Sequence, residues 1–231
     1  MGNYWRFSRS AYYSVLMALP LLLAYEVLIV ITKSEYWVVR NAADVWIRMF
    51  LMAFDIKSQH LTFIMIGIMF VLIPFAKINS PGVHVKIRYF FVMLLESFFY
   101  SIILGTVLQY ILRMGGLSAG GIGRDIFQNL ALSIGAGLFE EVIFRVLLLN
   151  FLFFIFNYFV KKKLIKVVLS VLISSLLFSI SHYVGSLADA WELYSFMFRW
   201  AAGILFTVLY YYRGFAITSY THALYDIWVL V

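Results

Sequence analysis

The chain consists of long apolar runs separated by short polar connections. Because a helix needs about 20 mainly apolar residues to cross a bilayer, the clearest runs predict spanning helices at Ala11 to Ile31, Leu61 to Ala76, Ile87 to Leu112, Leu164 to Tyr183, Glu192 to Arg213 and Gly214 to Val231. One more helix lies between the third and fourth of these. The pattern therefore predicts an all-α, multi-pass transmembrane helical bundle of about seven spanning helices, folded as a single integral membrane domain over residues 1–231.

The apolar run from Ile126 to Val160 is too long for one crossing. As a continuous helix it would measure roughly 52 Å, against a hydrocarbon core of about 30 Å. The small residues Gly135, Ala136 and Gly137 mark the place where a break is expected. We therefore predict an interfacial or re-entrant piece before them and a spanning helix after them.

Two connections and the N-terminus carry signals of their own. Lys33 to His60 mixes charged and apolar residues, which is typical of an amphipathic segment on the membrane surface. Met114 to Gly123 is rich in glycine and predicts a turn, because a phosphate-binding loop would need a preceding strand and a fixed spacing. Arg6 and Arg9 precede the first apolar run, which predicts a retained signal anchor.

Composition agrees with a membrane protein. Hydrophobic residues make up 64% of the chain and charged residues 13%, whereas globular domains are about half apolar and a quarter charged. Ten basic residues fall on the N-terminal side of the predicted bundle and six on the other, so we expect a cytoplasmic N-terminus and an extracytoplasmic C-terminus in the cell membrane. These residues are scattered between apolar runs, which argues against a nucleic-acid partner despite the net charge of +7. The sequence has no cysteine, which excludes disulfides and a cysteine nucleophile.

Ionisable residues fall inside or at the ends of the C-terminal helices: Glu140, Glu141, Arg145, His182, His222 and Asp226. A charge at membrane depth costs about 2.5–3.5 kcal/mol to insert, so such residues either join the helices as ion pairs or serve a functional site. Residues four apart on a helix share a face. This spacing pairs Glu141 with Arg145 and leaves Glu140 free to face a cavity as a general base.

The same spacing directs His222 and Asp226 into one site, and His182 brings an imidazole from another helix. Imidazoles and carboxylates from three helices could activate a water molecule and stabilise an oxyanion. The same side chains could instead bind a metal ion.

Three motifs in these helices resemble those of the CPBP intramembrane proteases. EEVIFR at Glu140 to Arg145, FSISH at Phe178 to His182 and HALYD at His222 to Asp226 are similar to the family patterns E-E-x-x-x-R, F-x-x-x-H and H-x-x-x-N/D. The family includes the CAAX prenyl endopeptidases and the bacterial abortive-infection or bacteriocin self-immunity proteins. The resemblance covers residues 127–231, the protease motif core, and gives no counterpart for the first three helices.

The resemblance implies an intramembrane endopeptidase that hydrolyses a peptide bond of a membrane-protein or lipid-anchored substrate, near the C-terminus of that substrate. It also implies that Glu140 and His182 activate water, while His222 with Asp226 stabilises the oxyanion. The supporting residues would be Glu141, Arg145 and Phe178. On the topology above, Glu140 and His182 lie toward the outer side, so the site is expected to open to the extracytoplasmic half.

Asp226 departs from the prenyl endopeptidases, which have Asn at this position. An amide can donate a hydrogen bond to an oxyanion, whereas an ionised carboxylate cannot. Asp226 is therefore expected to be protonated, to orient His222, or to ligate a metal.

A glutamate-type mechanism without a cofactor is favoured, because no H-E-x-x-H pattern supplies two zinc ligands from one helical turn. The alternative is a zinc-dependent version of the same protease, with the ligands Glu140, His182, His222 and Asp226. Two other classes also place carboxylates and histidines inside helices. They are a proton-coupled membrane transporter, although no inverted repeat is evident, and a non-catalytic immunity protein that keeps the motifs as a scaffold.

Three further charged residues lie in the apolar runs. Glu96 in the third helix and Arg199 in the sixth are expected to pair with each other or with the catalytic cluster. Glu26 lies nearer a helix end, from which its carboxylate is expected to reach the membrane interface.

Overall fold

The computed structural model is a bundle of helices, described for residues 2–32, 40–114, 126–185 and 188–231. Its α-helices are α1 Gly2–Ser8, α2 Ala11–Thr32, α3 Ala42–Met52, α4 Ser58–Ile78, α5 Ile87–Met114, α6 Ile126–Gly135, α7 Asn150–Phe159, α8 Lys163–Ser181, α9 Leu193–Arg213 and α10 Phe215–Leu230. Between α6 and α7 the chain forms π-helical turns, Ala136–Glu140 and Val142–Leu149, here called the π segment. The start of the predicted amphipathic segment, 33–39, and nearly all of the predicted glycine-rich turn, 115–123, lie outside the described residues.

Within the described residues, six helical stretches are long and apolar enough to cross a membrane. α10 is shorter, with 16 residues, and its first turns are enclosed by other helices, so that Ala216 and Ile217 are fully buried. The expected multi-pass bundle of about seven helices is thus confirmed. On α4 and α5, Phe63 and Phe91 are 74% and 68% exposed, and such apolar outer faces suit lipid rather than water.

The predicted break near Gly135 and Gly137 is wrong, because Ile126–Phe159 is one continuous helical run of 34 residues. α6 leads directly into the π segment and packs against α2 and α10. A Cβ atom on Gly135 would meet the Tyr25 ring at 2.7 Å. One on Gly137 would meet the Ser219 carbonyl oxygen at 2.5 Å. The glycines therefore allow close helix packing, as small residues commonly do in membrane proteins.

In the described part of the segment after α2, the charged face formed by Arg40, Asp44 and Arg48 turns into the protein. Arg40 contacts Glu26 of α2 at 3.1 Å and Asp44 of α3 at 2.8 Å. Arg48 contacts the same two carboxylates at 2.5 and 2.7 Å. All four residues are buried. The surface placement of this face and the reach of Glu26 to the interface were both wrong predictions, because charges that pair closely can be buried together.

The charged residues of α5 and α9 do not pair as expected. Glu96 contacts Arg213 at 2.5 Å, at the C-terminal end of α9. Arg199 instead contacts Asp189 at 2.6 Å, near the start of the same helix. At 1.5 Å per residue the two arginines are about 21 Å apart along α9, so Glu96 cannot reach both.

Small residues join α8 to α9. Ser175 and Ser179 on α8 are fully buried, and the Ser179 hydroxyl donates to the Phe196 carbonyl at 2.7 Å. A Cβ atom on Gly203 of α9 would lie 3.1 Å from Ser175. This close packing fixes the C-terminal end of α8, which is followed directly by His182.

Candidate active site

A cavity of about 440 Å³ lies at one end of the bundle, where α3, the ends of α8 and α10 and the start of α9 meet. The four residues predicted to be catalytic all line it: Glu140, His182, His222 and Asp226. Glu140 comes from the π segment, His182 follows α8, and the other two come from α10. Much of the remaining wall is apolar and includes Trp46, Leu132, Phe144, Phe198 and Val229.

The carboxylate of Glu140 is held between two elements. Its Oε1 atom accepts a hydrogen bond from Nδ2 of Asn41 at 2.8 Å. Its Oε2 atom lies 4.0 Å from Nε2 of His222, and the side chain is 12% exposed. Glu140 is therefore shielded from bulk solvent while one of its oxygens remains directed to the cavity. π-Helical turns are often found at functional sites.

Glu141 lies at the centre of a buried ion cluster. As the spacing predicts, it pairs with Arg145, whose Nη1 atom lies 3.1 Å from Oε1. The same oxygen lies 2.7 Å from Nδ1 of His222. The Arg145 guanidinium is 4.6 Å from the centroid of the Phe178 ring, a cation–π contact. The three supporting residues thus form one packed layer beside His222.

The His222 ring is fixed on several sides. A carboxylate accepts hydrogen bonds and does not donate them, so the Nδ1–H group donates to Glu141. The ring stacks on Phe206 with centroids 4.4 Å apart. Its Nε2 atom is 3.6 Å from Oδ2 of Asp226 and 4.0 Å from Glu140. Glu141 therefore fixes a hydrogen on Nδ1, whereas Asp226 faces the other nitrogen.

His182 presents a neutral imidazole to the same cavity. Its Nδ1 atom lies 3.0 Å from the Phe178 carbonyl oxygen, which can only accept, so Nδ1 carries the hydrogen and Nε2 is left as the acceptor. Burial lowers the pKa of His182 below its ordinary value of 6.5. Within the described residues no hydrogen bond joins His182 to Glu140, although both side chains line the same cavity.

The zinc-dependent alternative and the glutamate-type mechanism both stay predictions. A zinc site needs three or four ligand atoms that converge on one point. Across residues 2–32, 40–114, 126–185 and 188–231, no group of three His, Asp or Glu side chains is arranged to hold a metal ion. The Nδ1 atoms of His182 and His222 contact a carbonyl and a carboxylate, an arrangement that leaves Nε2 as the nitrogen able to act in either mechanism.

Asn41 is the site residue that the sequence analysis missed. It lies in the connection between α2 and α3, and it caps α3 by accepting from the Ala43 N–H at 2.9 Å. Asparagine before a helical run is a recognisable capping signal. Its second contact, with Glu140, joins positions 99 residues apart, and no local pattern could reveal it.

Comparison with protein families gives one finding. Residues 122–228 match the family model described as "Type II CAAX prenyl endopeptidase Rce1-like". This region contains all three motifs, so the resemblance to the CPBP family is confirmed. Neither the search of curated proteins nor that of solved structures gives a match.

Proposed function

Because residues 122–228 carry a domain of the type II CAAX prenyl endopeptidase family, Rce1-like, we propose that this protein hydrolyses a peptide bond of a membrane-embedded or lipid-anchored substrate, near the C-terminus of that substrate. The observation that carries the proposal is the single cavity that Glu140, His182 and His222 line from three different elements. A carboxylate and an imidazole that face the same cavity can polarise a water molecule, and a second imidazole can stabilise the oxyanion that forms.

In the proposed reaction, a water molecule bound between Glu140 Oε2 and His182 Nε2 loses a proton to Glu140 as its oxygen attacks the substrate carbonyl. The tetrahedral oxyanion is stabilised from Nε2 of His222, beside which the carboxylates of Glu140 and Asp226 favour a bound proton. The intermediate collapses by breaking the C–N bond, and the proton held by Glu140 passes to the amine nitrogen. The products are a carboxylic acid and an amine, which become carboxylate and ammonium when the acid passes its proton to the amine.

Asp226 acts in this scheme through His222. Its Oδ2 atom is 3.6 Å from Nε2, so it holds the protonated imidazole in place rather than donating to the oxyanion itself. No metal ion takes part in the proposed scheme.

We further propose that the cavity opens to the extracytoplasmic side. Arg6 and Arg9 contact the carbonyls of Gly82 and Tyr211 at the end of the bundle opposite the cavity, where the other basic loops also lie. The positive-inside rule counts Lys and Arg rather than net charge, and the ratio of ten basic residues to six favours the cavity on the outer side.

The chain lacks cysteine, so a single introduced cysteine reports which side of the membrane its position faces, without labelling of native cysteines. Lys57→Cys on the cavity side and Lys162→Cys at the opposite end are both exposed positions. In intact cells an impermeant thiol reagent is expected to label Lys57→Cys and spare Lys162→Cys. The reverse labelling would overturn the orientation.

The activity is tested with purified protein in detergent and two peptides, one lipid-anchored near its C-terminus and one with a transmembrane segment. Glu140→Gln keeps the size of the side chain and removes the base, so cleavage is expected to fall by at least about 100-fold, at the lower end of general-base contributions. Cleavage that persists in Glu140→Gln would refute the assignment. A chelator is expected to leave the rate unchanged, and inhibition reversed by zinc would instead support the metal-dependent alternative.

A further inference from the structure

Asn41 lies outside the matched domain, yet it contacts the carboxylate to which the proposed function assigns the proton transfer. Its Nδ2 atom donates to Glu140 Oε1 at 2.8 Å, and its Oδ1 atom accepts from the Ala43 N–H at 2.9 Å. One side chain thus fixes both the start of α3 and one oxygen of Glu140. Asn41 is buried, so bulk water does not compete for these contacts.

The backbone at Asn41 is held from α2. The Tyr25 hydroxyl accepts from the Asn41 N–H at 3.2 Å and donates to Asp44 Oδ2 at 2.9 Å. The neighbouring Arg40 is bound to Glu26 and Asp44, in the ion network that also includes Arg48. The position of Asn41 is therefore set by helices of the N-terminal half.

Gly135 leaves the space that Asn41 occupies. A Cβ atom on Gly135 would lie 2.9 Å from Cβ of Asn41, closer than side-chain atoms pack. Glu140 follows five residues later, which is the i→i+5 spacing of a π-helical turn. Gly135, against which Asn41 packs, and Glu140 therefore lie on the same side of the helical run.

From these contacts we infer that Asn41 is a positioning residue for the hydrolysis: by binding Oε1 of Glu140 it directs Oε2 to the attacking water. The inference rests on the proposed function. A carboxylate with one oxygen bound cannot rotate freely, and misplacement of a reacting group by about 1 Å costs on the order of 100-fold in rate. The N-terminal half of the chain thereby completes the active site of the matched domain.

Two substitutions separate this role from helix capping. Asp and Ser cap helices about as well as Asn, so both substitutions preserve the cap of α3. Asn41→Ser is therefore expected to keep the thermal stability of the protein in detergent, whereas Asn41→Asp sets a second buried carboxylate against Glu140 and is expected to lower it. Neither can donate to Oε1 as Asn does, since an ionised carboxylate has no hydrogen and a serine hydroxyl is too short. Both are expected to lower kcat on the order of 10- to 100-fold, with KM unchanged.

The pH–rate profile adds a readout that a purely structural role would not move. Asn41→Asp places a negative charge beside Glu140, in a site that His182, His222 and Asp226 also face. Its profile is expected to move toward alkaline pH, whereas that of Asn41→Ser is expected to keep the wild-type position. Should Asn41→Asp fail to fold, the kcat of Asn41→Ser decides alone.

Asn79→Asp is the matched control. Asn79 is exposed at the end of α4, where its amide donates to the Phe75 carbonyl at 2.9 Å, and the same chemical change there is expected to leave kcat unaltered. If Asn41→Asp and Asn41→Ser both keep the wild-type kcat while Glu140→Gln is inactive, the positioning role of Asn41 is overturned and the proposed function still stands. Activity in Glu140→Gln would instead overturn the proposed function.

Discussion

Replacing Gly137 with Ala tests whether the close approach of the π segment to α10 sets the catalytic geometry. The added Cβ atom would lie 2.5 Å from the Ser219 carbonyl oxygen and 2.7 Å from the backbone nitrogen of Ala223. Ordinary contacts begin at 3.4 Å, so the two helices must separate by nearly 1 Å. Both clashing atoms belong to backbone, which cannot turn aside as a flexible side chain can.

The separation acts on stability and on rate. Overpacking of this kind costs about 1–3 kcal/mol in free energy of unfolding. Because α10 carries His222, the 4.0 Å distance between its Nε2 atom and Glu140 Oε2 would increase by about 1 Å, enough to slow the reaction on the order of 100-fold. Gly137→Ala is therefore expected to unfold at a lower temperature in detergent and to cleave peptide far more slowly.

Gly67→Ala provides the control. Gly67 lies on α4, and a methyl group added there would meet no atom within 4 Å, so the same change should leave the rate at the wild-type value and should not lower the unfolding temperature. If Gly137→Ala behaves like Gly67→Ala, the close packing of α10 on the π segment does not set the position of His222.

Two further outcomes follow from the ion pairs and from His182. Glu96→Ala leaves the buried Arg213 without its carboxylate and is expected to cost about 3–5 kcal/mol in unfolding free energy. Arg199→Ala breaks a partly exposed pair and is expected to cost less than about 1 kcal/mol. Equal losses of stability in thermal denaturation would contradict this difference. Because the pKa of His182 is lowered, its Nε2 atom stays able to accept a proton until the pH falls below 6.5. The acid limb of the pH–rate profile is therefore expected below that value. A midpoint above it would count against His182 as a group that activates the water.

The sequence predicts the helices well because crossing a bilayer demands a long apolar run. α2, α5 and α9 begin within one residue of the predicted positions. It also predicts that Glu141 and Arg145 pair, since residues four apart on one helix meet whatever surrounds them. The convergence of Glu140, His182, His222 and Asp226 on one cavity could be expected from the family motifs.

Contacts between helices could not be predicted in the same way. The pairing of Glu96 with Arg213 rather than Arg199 depends on which end of α9 lies beside α5. The burial of Arg40 and Arg48 depends on Glu26 from another helix. In the sequence alone, Gly135 and Gly137 suggest a helix break. Only the neighbouring helices show that these positions lack side chains because the helices pack closely there.

The contact between Asn41 and Glu140 has a consequence for engineering. Residues 122–228 contain Glu140, both histidines and Arg145. One carboxylate oxygen of Glu140, however, is bound by Asn41, which lies about eighty positions before this region. Grafting residues 122–228 onto a foreign set of N-terminal helices would therefore transplant the motifs without their anchor. A working chimera has to bring the start of α3, and the helices that hold it, along with the motifs.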